Sequence, residues 1–159
     1  MGFKILDASA FYAGVPFRSH DQYYTTTSIY DEIRHIKKDH DALGVLLETG
    51  RLKVMEPDRG SVQKSMDAAK RTGDLQRLSR QDMSVIALGL YMKGQIITDD
   101  YSIANVAESL GMTVYPVMTR GIRNVGRWIH YCPGCNVNQK SGSKCSVCGA
   151  ILKRKFVKE

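Results

Sequence analysis

The 159-residue chain has room for one domain of ordinary size with a small appendage, and its 43% apolar content is enough for a real core. No secretory signal opens it, and the apolar run from Met83 to Met92 is well short of the roughly 20 residues a membrane helix needs; the chain reads as soluble and cytoplasmic, without a membrane partner. The net charge of +7 is one-sided: residues 1–122 carry 15 Lys/Arg and 15 Asp/Glu, whereas residues 123–159 carry eight and one, a block that marks a polyanion-binding element.

Phe3, Ile5 and Leu6 predict a short buried strand that runs straight into a carboxylate, Asp7. Open α/β sheets place their chemistry at such strand ends, although an Asp there also caps the following helix, here residues 9–14. Residues 17–24 are polar and aromatic and read as a loop, with His20 exposed in it. Thr25 to Ser28 open a helix in which Ile29, Ile33, Ile36, Leu43 and Leu47 form one face, with His40 at the skipped position and Gly50 as the stop. Asp31 and Glu32 are expected in its first turn, where the helix dipole alone would account for an acid.

Leu52 to Met55 predict the next strand, closed by Pro57, and residues 61–71 a helix. Ser79 to Asp82 open a mostly buried helix that runs to Lys93, on which Asp82 is the only acid and has capping-box spacing from Ser79. Gln95 to Thr98 form a strand that ends on Asp99-Asp100, residues 102–110 a helix stopped by Gly111, and Thr113 to Val117 the last strand. The alternation of strands and helices predicts an α/β domain with a parallel sheet flanked by helices. Residues 118–130, with Gly121, Gly126, Arg120, Arg123 and Arg127, read as a basic linker in which Trp128 either anchors on a domain or stacks on a base.

Cys132-Pro-Gly-Cys135 and Cys145-Ser-Val-Cys148 use all four cysteines, nine residues apart. Two such hairpins each offer two thiolates, and together they close a tetrahedral structural zinc site. Disulfides are rare in a cytosolic protein, and rubredoxin-like iron sites separate their hairpins more widely. Around the cysteines lie Arg123, Arg127, Lys140, Lys144, Lys153, Arg154, Lys155 and Lys158, interleaved with Trp128, Tyr131 and Phe156. That mixture suits phosphate contact and base stacking, so Arg123, Arg127, Trp128, Lys140, Lys144, Lys153, Arg154 and Lys155 are candidate RNA contacts.

Asp7, Glu32, Asp82 and Asp100 form the second constellation. They sit at the ends of two strands and near the starts of two helices, positions that share one edge of a parallel sheet. Four carboxylates on one rim repel each other unless cations are present, and hard Mn²⁺ or Mg²⁺ ions take such oxygen ligands and assist attack on phosphodiesters.

These stretches carry a resemblance. Leu6-Asp7-Ala8-Ser9-Ala10-Phe11, the run from Thr26 to Arg34, Leu78-Ser79-Arg80-Gln81-Asp82 and Ile97-Thr98-Asp99-Asp100-Tyr101, followed by the cysteine hairpins, resemble the Nob (Nin-one-binding) family of PIN-domain endoribonucleases, in a compact form like its archaeal members. The resemblance implies a PIN-like nuclease domain over 1–122, a basic linker over 123–130, a zinc ribbon over 131–150 and a basic tail over 151–159. It implies a catalytic site of Asp7, Glu32, Asp82 and Asp100 binding Mn²⁺ or Mg²⁺, structural Zn²⁺ on Cys132, Cys135, Cys145 and Cys148, and cleavage of precursor rRNA, within the pre-ribosomal particle, that makes the 3′ end of the small-subunit rRNA. An acid common later in the motif is Ser102 here, so its role is absent or taken by Asp99. The alternatives are a non-catalytic RNA-binding assembly factor and a PIN ribonuclease acting on tRNA or mRNA.

Overall fold

The computed structural model describes residues 2–36, 40–117, 126–139 and 142–158, with the side chains of 35, 36, 40, 41, 126 and 158 also outside the description. Among the described residues, two sheets organise the chain. The first is built in the order β1 (Lys4–Leu6), α1 (Ala8–Tyr12), β2 (Tyr23–Thr25), α2 (Thr27–Ile36), α3 (His40–Glu48), β3 (Leu52–Val54), α4 (Arg59–Thr72), α5 (Arg80–Met92), β4 (Gln95–Ile97), α6 (Tyr101–Ser109) and β5 (Val114–Tyr115). Its strands lie in the order β3-β2-β1-β4-β5, and every pairing is parallel. The chain turns one way from β1 to β2 and the other way from β1 to β4, so the switch in strand order falls beside β1. Ligands of open parallel sheets bind outside the carboxyl ends of the strands at that point.

The strands are only two or three residues long, so packing rather than ladder length holds the sheet. Ile5 pairs with Tyr24 on one side and Ile96 on the other, and Ile5 and Ile96 are fully buried. Phe11 from α1, Ile29 and Ile33 from α2, Val85, Ile86 and Leu88 from α5, and Ile103 from α6 close over it. Each such burial contributes about 1.5–3 kcal/mol before entropy is counted. Five consecutive residues of α5, Val85 to Gly89, are buried, as its nearly all-apolar sequence predicts. Phe3 differs from expectation. It lies outside the strand, about half exposed, with its ring edge-on to Tyr24 at 5.3 Å.

The larger departure is β2. The stretch read as loop contains a strand whose three residues are all buried, seated between β1 and β3. Tyr, Tyr and Thr are strand formers; the run is too short for any periodicity, and only its neighbours reveal it. The expected long helix is described as α2 and α3. His40 opens α3, but its side chain lies outside the described residues.

The second sheet is antiparallel, with β6 (Gly126–Tyr131) between β7 (Asn138–Gln139) and β8 (Lys153–Lys158). Residues 126–130, expected as linker, and 153–158, expected as tail, thus pair with each other along six positions and frame the cysteine hairpins. Beyond the hairpins this unit buries one leucine, Leu152. Among the described residues no helix is long and apolar enough to cross a membrane.

Candidate active site and metal centre

Asp7 follows β1 and caps α1. Its Oδ1 accepts from the Ala10 N–H at 3.2 Å and the Ser9 hydroxyl at 2.7 Å, and its Oδ2 accepts from the Thr98 hydroxyl. The last bond exists because Leu6 and Ile97 are register partners, which brings the ends of β1 and β4 side by side. Thr98 also accepts from the Asp100 N–H at 3.0 Å, and Ser9 from the Asp99 N–H at 3.2 Å. Two hydroxyls therefore lace Asp7 to the Asp99-Asp100 turn.

Asp100 caps α6, its Oδ1 accepting from the N–H groups of Ser102 and Ile103 at 2.8 and 3.2 Å. Asp99 turns the other way, and its Oδ1 accepts from the Val117 N–H at 2.7 Å. Asp99 thus ties down the chain after β5, while the Asp100 N–H and the Asp7 carboxylate share the Thr98 hydroxyl.

Asp82 closes a true capping box. Its N–H donates to Ser79 Oγ at 3.1 Å, and its Oδ2 accepts from the Ser79 N–H at 2.9 Å. Among the described residues its other oxygen takes no hydrogen bond. Burial pushes the Asp82 carboxyl above its ordinary value and the charge of Asp100 adds to the shift; the same two causes raise Asp7, which is 4% exposed. Asp100 therefore sits within electrostatic reach of both, and these three acids share one neighbourhood at the carboxyl rim. A cap alone gives no reason to gather them there, since mutual repulsion costs stability.

Glu32 is the sixth residue of α2, not in the first turn, and that turn holds no acid. The dipole explanation for it is therefore weaker than the sequence suggested. It lines a cleft of about 1030 Å³ together with Asp31, Ser79, Arg80 and Gln81 at the start of α5; Asp7, Asp82 and Asp100 are not among the lining residues, so the structure does not bring Glu32 into the group the other three acids form. On its other side is α1, where burial first, and then the Glu32 charge, raises the Tyr12 phenol. Ser9, Thr98 and Tyr12 are the members of this site that sequence reasoning did not single out. Ser9 and Thr98 stood inside the quoted motifs, directly beside the acids they hold.

The four cysteines converge as expected. Their sulfurs lie within 4.8 Å of one another, the one such group of three or more His, Cys, Asp or Glu among the described residues. Cys132 and Cys148 are 3.3 Å apart at sulfur and Cys135 and Cys145 3.6 Å, far beyond a disulfide bond. The backbone N–H groups of Cys148 and Val147 hold the Cys145 thiol down to about 6, so it is ready to be a thiolate. This cluster can hold a metal ion.

Of the candidate RNA contacts, Arg127, Lys144, Lys153 and Lys155 are exposed, and Arg123 and Lys140 lie outside the described residues. Trp128 and Arg154 are half-buried against the first domain. Arg154 Nη2 donates to the Gly73 carbonyl at 2.9 Å, and the guanidinium groups of Arg77 and Arg154 lie over the Trp128 ring at 4.5 and 5.0 Å.

Comparison with known proteins decides what this arrangement belongs to. Residues 5–92 match the family described as PIN domain of ribonuclease. The chain is 38% identical to endoribonuclease Nob1 of Methanothermobacter thermautotrophicus, over 96% of this chain and 92% of that protein. It is 33% identical to endoribonuclease Nob1 of Pyrococcus abyssi, over 94% and 91%, and 36% identical to that of Methanocaldococcus jannaschii, over 99% and 80%. The chain belongs to the Nob1 endoribonuclease family. The matches to the Nob1 relatives cover 94–99% of this chain, the second sheet's stretch included in that length.

Proposed function

We propose that the chain is a divalent-metal-dependent endoribonuclease that cleaves precursor rRNA to generate the 3′ end of the small-subunit rRNA, acting on the pre-ribosomal particle in the cytoplasm. The observation that supports the metal reading is the register of Leu6 with Ile97, which sets Asp7 beside the Asp99-Asp100 turn through the shared Thr98 hydroxyl; burial first, and then the Asp100 charge, raises both Asp7 and Asp82. Asp7, Glu32, Asp82 and Asp100 are the proposed ligands. Their donor set is all carboxylate oxygen, which fits a hard cation such as Mn²⁺ or Mg²⁺. When bound, such an ion stabilises the negative charge that builds on a phosphoryl group under attack by water.

The chain's own residues supply the rest. Ser9 and Thr98 fix the Asp7 carboxylate, and the helix caps at Asp82 and Asp100 fix one oxygen of each. Positioning of this kind is where a phosphodiesterase gains most of its rate. Arg80 lines the cleft beside Glu32 and offers a cation to the scissile strand. The four cysteines hold structural Zn²⁺ in this reading, and Arg127, Lys144, Lys153 and Lys155, with Arg123 and Lys140, contact RNA phosphates.

The test is cleavage of a small-subunit rRNA precursor with Mn²⁺, beside a scrambled RNA of equal length, a tRNA and an mRNA fragment. Cleavage of the precursor at one position is the expected result. Equal cutting of all four RNAs would remove the rRNA assignment, and no cutting would leave an RNA-binding assembly factor.

A further inference from the structure

The second domain does not dangle from the first. Gly73, just past α4, has the left-handed φ of 82°, and a Cβ there would stand 2.7 Å from the Trp128 carbonyl oxygen. Only glycine allows β6 to come this close. Arg154 then bonds the Gly73 carbonyl, and Arg77 covers the Trp128 ring, an arrangement of cation and indole that is attractive. Trp128 also packs edge-on against Phe156 at 5.4 Å.

This docking encloses a cleft of about 600 Å³ at the junction. Lys70 and Arg71, from the last turn of α4, face it from the first domain. Arg127 and Arg154 face it from the second. Among the described residues no acid lines it, although the first domain as a whole is balanced in charge. Gln76, Gln139, Asn138 and His130 complete its polar wall. The cleft beside Glu32 and the junction cleft share one lining residue, Leu75, on the short 3₁₀ turn Leu75–Arg77, so the two adjoin there.

We propose that the junction cleft is a second RNA site, which takes a single-stranded segment continuous with the strand in the catalytic cleft; this rests on the reading of RNA as substrate. Among the described residues, four cations in a cleft whose lining holds no acid, with only Asp74 behind Arg154 to offset them, fit a phosphate backbone. The amide and imidazole groups between them can pair with the edges of unstacked bases, which a duplex hides. Lys70 and Arg71, which no sequence motif pointed to, become specific contributors to binding, while Trp128 and Arg154 hold the two walls together.

The experiment uses the full chain, with no added divalent cation so that nothing is cut. The probes are a labelled 12-nucleotide oligouridine and a labelled 12-base-pair RNA duplex. Lys70→Ala/Arg71→Ala changes two exposed side chains and leaves the fold intact. It should weaken oligouridine binding about tenfold and lower its log–log salt slope by about 1.4, twice the roughly 0.7 per phosphate of a single strand, with duplex binding little changed. Lys53→Gln/Lys93→Gln, which removes two exposed cations outside the cleft, should leave the oligouridine slope unchanged. Trp128 is the only tryptophan, so oligouridine should shift its fluorescence in the native chain and not in the Lys70/Arg71 variant. Native affinity in that variant, or an equal loss in the Lys53/Lys93 control, overturns the junction site while leaving the nuclease reading standing. Absence of any RNA binding by the native chain overturns both.

Discussion

Asp82 performs a cap and faces a field at the same time, and the two roles separate by substitution. Asn keeps an oxygen for the Ser79 N–H, so Asp82→Asn should cost about 1 kcal/mol of stability at most, while cleavage is lost. A melting curve and a cleavage assay on the same preparation read both; full activity would make Asp82 a cap alone. Asp7→Asn should lower cleavage by orders of magnitude and leave RNA affinity equal or slightly higher, because a negative charge near phosphate is gone. The pH dependence follows from the same burial. Asp7 and Asp82 hold their protons more tightly folded than unfolded, so their contribution to stability is fully present below the ordinary carboxylate value and is lost as pH rises through their raised folded values. Without divalent cation, the melting temperature of Asp82→Asn relative to the native chain should therefore improve from pH 4 to pH 7. A difference that stays flat would mean that burial and Asp100 do not strain this carboxylate. Asp7, Asp82 and Asp100 could be found in the sequence because each ends a strand or opens a helix, whereas Glu32 sits in the middle of α2 and does neither. The hydroxyls of Ser9 and Thr98 gain meaning only through the register of β1 and β4, a contact across 91 residues that no local pattern encodes.

At the scale of elements, the long helices and their apolar faces were legible, and the strands were legible where they ran into punctuation. The strand β2 was not, since three buried residues carry no period. The flanks of the cysteine unit were read as linker and tail because their charge outweighed their pattern. In β8, Lys153, Lys155 and Val157 alternate with Arg154 and Phe156, and the exposed cations mask a strand that pairs with β6 and whose Arg154 and Phe156 meet Trp128. The unit buries so little apolar surface that one leucine, about 1.5–3 kcal/mol, cannot order it, whereas a structural zinc supplies roughly 10–16 kcal/mol. Replacing Cys145 and Cys148 by Ser should therefore release one zinc per chain, measurable with a chromogenic chelator, and unfold residues 126–158. The first domain should stay folded, because its core lies entirely between Ile5 and Val117. Trp128 emission should shift to the red as its contacts with Arg77 and Arg154 are lost. RNA affinity should fall and the salt slope flatten by about 0.7 for each single-strand phosphate no longer neutralised. Retention of the native slope would assign the positive charge to solubility.

Across the whole molecule, the acids and the bases are divided between two domains that touch. The switch in strand order brings Asp7 beside the Asp99-Asp100 turn, α5 opens with Asp82 within reach of the Asp100 charge, and Glu32, the fourth proposed ligand, lines the cleft at the start of α5. These residues lie up to 93 positions apart in sequence, yet one event should perturb them together. Repulsion among carboxylates in one neighbourhood makes the first divalent cation bind to the set rather than to any member, since it relieves Asp7 and Asp82 of the same Asp100 charge. Titrating the zinc-loaded chain with Mg²⁺ and following backbone amides by NMR should therefore shift residues near 7, 32, 82 and 100 along a single binding curve. The cysteine hairpins, already filled and built of sulfur, should not respond at those concentrations. Asp100→Asn should weaken the curve at all the remaining positions at once, including those it does not touch. Separate affinities for the four regions, or shifts confined to the acids elsewhere on the surface, would sink the shared site and reduce each carboxylate to the cap it also forms.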